Sequence, residues 1–221
     1  LTDDKSVGSE AAAAMRARGL TPILARPGRG YTPPVMATNG EAPGSSACTL
    51  DPAEREHFDR LVVDLAGQGT DLQGVVHLWS LNARPPLRTT LRTLGEDEVT
   101  GTGSLLHIAQ ALGAFRWGDR HPKLWAATRG AHLIGPEGRV APIAGELWGL
   151  GRSIAAETAG IWGGLVDLDP SASPQASAQQ LVDELLAGSA ENQVALRNGQ
   201  RVVPRLRRRR DLTRVGSGAL A

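Results

Sequence analysis

The 221-residue sequence predicts an α/β fold in three layers: a mainly parallel sheet with helices on both faces. Three observations carry that expectation. Apolar runs alternate with amphipathic segments of about 10–17 residues, the pattern of strand–helix–strand units. Two of the runs, Val75–Trp79 and Lys123–Thr128, are near-continuous in apolar character, as strands covered on both faces require. The amphipathic segments also carry helix start and stop residues. Units of this kind pair their strands in parallel through right-handed crossovers.

In chain order, Leu1-Thr2-Asp3-Asp4 reads as the end of a strand, with a turn over Lys5–Gly8. A helix follows over Ser9–Arg18, with Ser9 as N-cap and Gly19 at the C-terminal glycine position. Leu20–Ala25 is a candidate strand, and residues 27–49, rich in Gly, Pro, Ser and Thr, read as a long loop. Asp51-Pro52-Ala53-Glu54 opens a helix that runs to Gln68. Phe58, Leu61, Val62 and Leu65 share one face of it.

Val75–Trp79 is a strand, residues 80–98 are polar and turn-rich, and Thr102–Phe115 is an amphipathic helix through Leu105, Ile108, Ala109 and Leu112. The remaining elements are a strand at Lys123–Thr128, a glycine-punctuated helix at Pro142–Glu157, a strand at Gly164–Leu168, a helix at Ala176–Leu186 and a strand at Gln193–Arg197. Asn198-Gly199 suits a tight hairpin into a last strand at Gln200–Leu206. Residues 1–206 therefore form one domain, and 207–221 a linker or tail.

Composition narrows the function classes. A net charge of +1 gives no global field toward nucleic acid or membrane. No apolar stretch approaches the ~18 residues of a membrane span. The single cysteine, Cys48, forms no internal disulfide, which fits a reducing compartment and a cytoplasmic protein. The arginine run Arg207–Arg210 lacks interleaved aromatics and reads as a solvated linker, or a partner for an acidic neighbour, rather than a nucleic-acid site.

Motifs for chemistry are sparse. His57, His77, His107, His121 and His132 show no zinc spacing, so no metal site is expected. His77 reads as a satisfied core histidine or one facing a sheet edge, and His132, following a strand, as a surface loop histidine, with a pocket residue at the sheet's C-terminal edge as the alternative. No GxSxG elbow occurs. Gly101-Thr102-Gly103-Ser104 reads as a helix N-terminus, and Gly149 and Gly151 as points of close helix–sheet contact.

Two neighbouring segments carry a family resemblance. Glu146–Glu157 (ELWGLGRSIAAE) and Trp162–Leu168 (WGGLVDL) form a helix that leads into a strand with an Asp near its end. With Gly74–Trp79, Gln193–Arg197 and Val202–Leu206, they resemble the structural subdomain of a modular polyketide synthase ketoreductase. The resemblance runs from the Asp3–Gly8 turn to about Leu206. It implies a truncated Rossmann-like fold of the short-chain dehydrogenase type, excised from a larger polypeptide. It also implies a scaffold that packs against a companion half, which binds NADPH and reduces β-ketoacyl chains on an acyl carrier protein. Enoylreductase, dehydratase or methyltransferase domains are the further neighbours it implies. A second role within the same resemblance is a pseudo-ketoreductase that organises a neighbouring methyltransferase or enoylreductase. An atypical NAD(P)-dependent short-chain reductase is the catalytic alternative.

The residues agree that this segment holds no catalytic and no cofactor-binding residues. A dinucleotide fold needs several glycines at its first strand–helix turn, so that backbone N–H groups reach the phosphates. Here only Gly8 remains, and Asp3 and Asp4 place negative charge there, with Lys5 as partial compensation. Ketone reduction in this style needs a Tyr with a nearby Lys. The one tyrosine, Tyr31, lies in the loop and reads as an anchor; Lys5 and Lys123 are the only lysines, and helix 142–157 holds neither type. The expected role is packing, through an interface drawn from Trp79, Trp125, Trp148 and Trp162, with filling of the domain's own core as the alternative for each one.

Overall fold

The computed structural model describes residues 1–3, 6–34, 47–69, 71–118, 121–134 and 140–208. Helix α1 (Val7–Arg16) is followed by the paired parallel strands β1 (Leu24–Pro27) and β2 (Ala47–Leu50). Next come α2 (Arg55–Gly67), β3 (Gly74–His77), α3 (Leu91–Glu98) and α4 (Ser104–Ala114). The rest is β4 (Lys123–Arg129), α5 (Pro142–Glu157), β5 (Trp162–Leu168), α6 (Pro174–Leu186), β6 (Gln193–Arg197) and β7 (Gln200–Val202). The main sheet runs β3-β4-β5-β6-β7, parallel except for the β6–β7 hairpin. Asn198 and Gly199 make that turn with φ of 51° and 74°, as their sequence suggests.

Leu1 and Thr2 join the two sheets. The Leu1 nitrogen donates to the Val76 carbonyl at 2.8 Å, and the Leu78 amide donates to the Leu1 carbonyl at 2.9 Å. On the other side the Thr2 amide donates to the Ala25 carbonyl at 2.8 Å. The spatial order is thus β2-β1-(Leu1–Thr2)-β3-β4-β5-β6-β7, the mostly parallel order of a Rossmann-type sheet.

Strand residues alternate between two cores. Leu124, Ala126 and Leu165 face Phe58 and Leu61 of α2, Ile108 and Leu112 of α4, and Leu147 of α5. Ala127, Val166, Leu168 and Val194 face Val7 and Ala11 of α1 and Leu181 and Val182 of α6. Each fully buried Leu or Val contributes roughly 1.5–3 kcal/mol. Two covered faces explain why β4 and β5 read as unbroken apolar runs.

Several boundaries differ from the sequence expectation. Helix α1 starts at Val7, before Ser9, because the Asp3 carboxylate receives its first amides. The first strand after it is Leu24–Pro27, not 20–25. The expected loop 27–49 contains β2; residues 35–46 of it lie outside the described residues. Both strands are four residues long and paired with sequence-distant partners, so local pattern under-reports them. The turn-rich stretch 80–98 contains α3, which buries no residue. A capping box between Thr90 and Thr93, with ion pairs from Arg84 to Glu96 and Asp97, holds it in place of an apolar face.

Gly101-Thr102-Gly103 is not an open helix N-terminus. It lies within a π-type turn, Val99–Gly103, that runs α3 directly into α4. Of the two α5 glycines, only Gly151 makes the expected close contact: a Cβ there would meet the Leu165 side chain at 2.9 Å. Gly149 faces open space. β7 stops at Val202, two residues before Pro204, which has no N–H for a ladder.

Candidate functional site

In open parallel sheets of this order, ligands bind outside the C-terminal ends of the strands. That edge is built here from the Leu1–Asp3 segment, the ends of β3, β4, β5 and β6, and the N-termini of α1 and α5. Its first turn is short and tightly packed. Thr2 and Asp3 are buried, and a Cβ on Gly8 would fall 1.9 Å from the Thr2 hydroxyl, so only glycine lets α1 sit this close to the strand. The Gly8 amide donates to Asp3 Oδ1 at 2.5 Å, and the Val7 amide to Asp3 Oδ2 at 3.4 Å. The positive end of α1, where an anion would be favoured, is therefore filled by the chain's own carboxylate. Asp4 and Lys5 lie outside the described residues.

Beside that turn, a second carboxylate closes the edge from within. Asp167, fully buried near the end of β5, accepts from Thr128 Oγ1 at 2.8 Å, the Ala131 amide at 2.8 Å and the His132 amide at 3.1 Å. It also forms an ion pair with Arg197 Nη2. Trp148 Nε1 donates to Thr128 Oγ1 at 2.9 Å, which ties α5 to the same cluster. Arg197 further donates to the carbonyls of Asp167, Leu168, Leu196 and His132 at 2.8–3.2 Å. One acid and one guanidinium thus lock the β4–α5 loop, β5 and β6 together.

The flanking polar groups are bound in the same inward manner. Arg129 donates to the Asp169 carbonyl at 3.0 Å and to the Ala172 carbonyl and the Ser177 hydroxyl at 3.3 Å. Burial lowers its pKa against the opposing pull of Asp3, Asp169 and Asp167. For Asp169, burial acts to raise the pKa, yet hydrogen bonds from Ser171 and the Asn198 amide, with Arg197 nearby, hold it below the ordinary carboxylate value.

His132 does stand at this edge, with its ring edge-on to Trp148 at 4.0 Å and its Nδ1 3.9 Å from Asp167. Burial pushes its pKa down although Asp167 favours the charged form. His77 is fully buried; its Nε2 lies 2.7 Å from Ser104 Oγ, which itself donates to the Thr100 carbonyl. That arrangement fixes the Nε2–H tautomer, and burial lowers the pKa to about 3, so the ring is neutral. Tyr31 lies against α2: its hydroxyl donates to Asp64 at 2.6 Å, and the Arg60 guanidinium lies 4.6 Å from its ring centre. Burial and the Asp64 hydrogen bond raise its pKa, and it anchors the loop after β1 as expected.

The four tryptophans assigned to an interface fall in two groups. Trp79, Trp148 and Trp162 are 1%, 4% and 7% exposed and belong to the domain's own core. Trp79 Nε1 donates to the Ala25 carbonyl at 3.2 Å. Trp125 is half-buried and lies across Gly163 and Gly164, where the β4–β5 register shifts. A Cβ on Gly163 would meet its indole at 2.4–2.6 Å.

At the C-terminal side, Arg205 pairs with Glu191 and Arg201 with the buried Glu184; Arg207 and Arg208 are exposed, and Arg209 and Arg210 lie outside the described residues. Among the described residues no three His, Cys, Asp or Glu side chains converge as a metal site, and no helix is long and apolar enough to cross a membrane.

Sequence reasoning marked Asp167 and Trp148 as parts of landmark segments but not as partners. Nothing local in Thr128 or Arg197 announces that they meet Asp167, 39 and 30 residues away.

Comparison with known proteins agrees with this architecture. Residues 36–206 match the family described as "Polyketide synthase extender module SpnB, Rossmann fold domain". The polyketide synthase GfsA of Streptomyces halstedii is 37% identical over 146 residues, 66% of this chain and 2% of that protein. The pikromycin polyketide synthase component PikAII of Streptomyces venezuelae is 34% identical over 173 residues, 74% of this chain and 4% of that protein. The chain thus spans a small fraction of these relatives. A C2-type ketoreductase from a modular polyketide synthase superimposes with TM-score 0.56 at 25% identity, covering 90% of this chain and 38% of that one. A short-chain dehydrogenase from Mycobacterium avium shares the fold alone, with TM-score 0.65 at 14% identity over 98% of this chain and 86% of that one. The chain belongs to the Rossmann-fold domain family of modular polyketide synthases, in the ketoreductase region.

Proposed function

We propose that this domain is the non-catalytic half of a polyketide synthase ketoreductase region. It packs against a companion half of the same polypeptide, which holds NADPH and reduces β-ketoacyl chains carried on an acyl carrier protein. The observation that carries this reading is the Asp3 carboxylate seated on the Val7 and Gly8 amides. A dinucleotide pyrophosphate needs those same amides, and a second anion there meets repulsion in a partly desolvated site. The residues present therefore do not fit NADPH.

The Asp167–Arg197 cluster supports the same reading. It fills the C-terminal edge with groups bonded to each other, and α5 offers neither Tyr nor Lys to donate a proton. What the cluster supplies is rigidity: loops held by a buried ion pair present a fixed face to a neighbour, as a supporting body requires.

The test is a titration of the chain with NADPH, followed by calorimetry and by nicotinamide fluorescence. No saturable signal is expected up to millimolar cofactor. Saturable micromolar binding, displaced by NADP⁺, overturns the reading. In parallel, the companion half expressed with this chain is expected to melt higher and turn over faster than it does alone.

A further inference from the structure

Helix α3 departs from the ordinary pattern of a surface helix. It buries no residue, and Leu91 in its first turn is 92% exposed. Its charges run against the helix dipole: Arg92 stands in the first turn, while Glu96, Asp97 and Glu98 crowd the last. Gly95 lies near its middle, where glycine weakens a helix relative to alanine. We infer that α3 is the contact helix of a symmetric, antiparallel pairing with a second copy of this chain, with the two-fold axis at Gly95.

Helical periodicity is the first argument. Leu91, Gly95, Glu98 and Val99 fall on one face, at i, i+4, i+7 and i+8. Val99 keeps helical backbone angles, φ −57° and ψ −47°, so the face continues past the end of α3. Leu91, Glu98 and Val99 are exposed, and a Cβ on Gly95 would meet nothing within 4 Å. Packing inside the domain therefore does not require glycine there. Open space in front of a mid-helix glycine lets another backbone approach closely.

Charge is the second. Arg84 bonds both Glu96 and Asp97 at 2.8 Å. Arg92 reaches Glu96 at 3.2 Å and so shares that acid with Arg84. Glu98 has no ion-pair partner among the described residues. Burial and the charge of Glu98 together raise the pKa of Glu146 on α5. The helix thus carries a half-used cation near its start and an uncompensated anion at its end.

A two-fold axis at Gly95 answers both. Arg92 lies three residues before Gly95 and Glu98 three after it; Leu91 lies four before and Val99 four after. Antiparallel pairing sets Arg92 against the second copy's Glu98, and Leu91 against its Val99, twice over. A charge order that is unfavourable in a lone helix becomes complementary across the pair. A purely acidic or purely basic partner would satisfy only one end of α3; a second copy satisfies both. One short helix per copy puts the contact below ~1,200 Å², so the pairing is weak and concentration-dependent.

The inference does not rest on the absence of cofactor binding, and the NADPH titration leaves it unaffected. Its test is sedimentation velocity on the 221-residue chain from micromolar to millimolar concentration. A monomer–dimer equilibrium is expected. Arg92→Glu and Glu98→Arg are each expected to weaken it about tenfold, and the two together to restore it, because the exchanged charges again meet across the axis. Urea melts check that each variant is folded. Gly95→Cys reads the same contact in a chain with native charges: on mild oxidation it is expected to link two copies through a disulfide, Cys48 being buried. A monomer throughout the range, a dimer indifferent to both single exchanges, a double variant as weak as the single ones, or loss of the Gly95→Cys link when the companion half is bound overturns the inference.

Discussion

Replacing Asp167 by Asn changes charge and donor pattern but hardly alters shape. One oxygen still accepts from Thr128 and Ala131, as in the native cluster. The new NH₂ then faces the His132 amide and the Arg197 guanidinium, donor against donor. Removing one member of a buried pair costs about 3–5 kcal/mol, largely by stranding the other charge. Arg197 keeps its carbonyl partners, which places the expected loss toward the lower end, about 3 kcal/mol. For a domain of this size that is roughly a 10 °C fall in melting temperature.

Arg197→Met tests the converse. Its carboxylate partner keeps three donors from Thr128, Ala131 and His132, so a smaller loss of about 2 kcal/mol is expected. Urea unfolding, followed by tryptophan fluorescence, measures both variants at unchanged m-value. Asp167→Asn falling within about 1 kcal/mol of the parent, or Arg197→Met costing more than Asp167→Asn, would refute the view that the carboxylate organises this edge.

Single contacts elsewhere can be tested in the same way. Gly149→Ala is expected to stabilise by up to about 1 kcal/mol through helix propensity, whereas Gly151→Ala, driven into Leu165, should destabilise by about 1–2 kcal/mol; parallel urea melts compare them, and equal effects would contradict the packing. Gly163→Ala pushes a methyl into the Trp125 indole and should cost about 1–3 kcal/mol, with a shift in tryptophan emission as the readout. Asp3→Ala removes the carboxylate at α1 and should cost about 1–2 kcal/mol without creating NADPH binding, checked by melting and titration. His77 is neutral in the fold with a pKa near 3, below its unfolded value of 6.5, so the unfolded chain takes up the proton first. Stability is then full above pH 6.5 and falls as pH drops toward 3, by about 2 kcal/mol at pH 5. His77→Gln should flatten that part of the profile; identical profiles would contradict a buried neutral ring.

Much of the architecture was written in periodicity. Val75–Trp79, Lys123–Thr128 and Gly164–Leu168 show two-sided burial in their composition alone, and Phe58, Leu61, Val62 and Leu65 mark the buried stripe of α2. The missing Tyr and Lys of α5 are equally legible, because folding cannot supply an absent side chain. Other features depend on partners remote in sequence. β1 and β2 are too short to declare themselves until they pair, and α3 owes its form to Arg84 and a capping box rather than to an apolar face. Gly149 and Gly151 look alike in the sequence, yet only one of them has Leu165 pressed against it. The carboxylate–guanidinium cluster is likewise a tertiary product: Asp167, Thr128 and Arg197 lie on three adjacent strands, and only parallel pairing brings their ends together. Sequence determined which residues prefer the interior and that α5 carries neither Tyr nor Lys. The fold decided which buried charges meet, because Coulomb and hydrogen-bond energies act through space over a few ångströms, irrespective of distance along the chain.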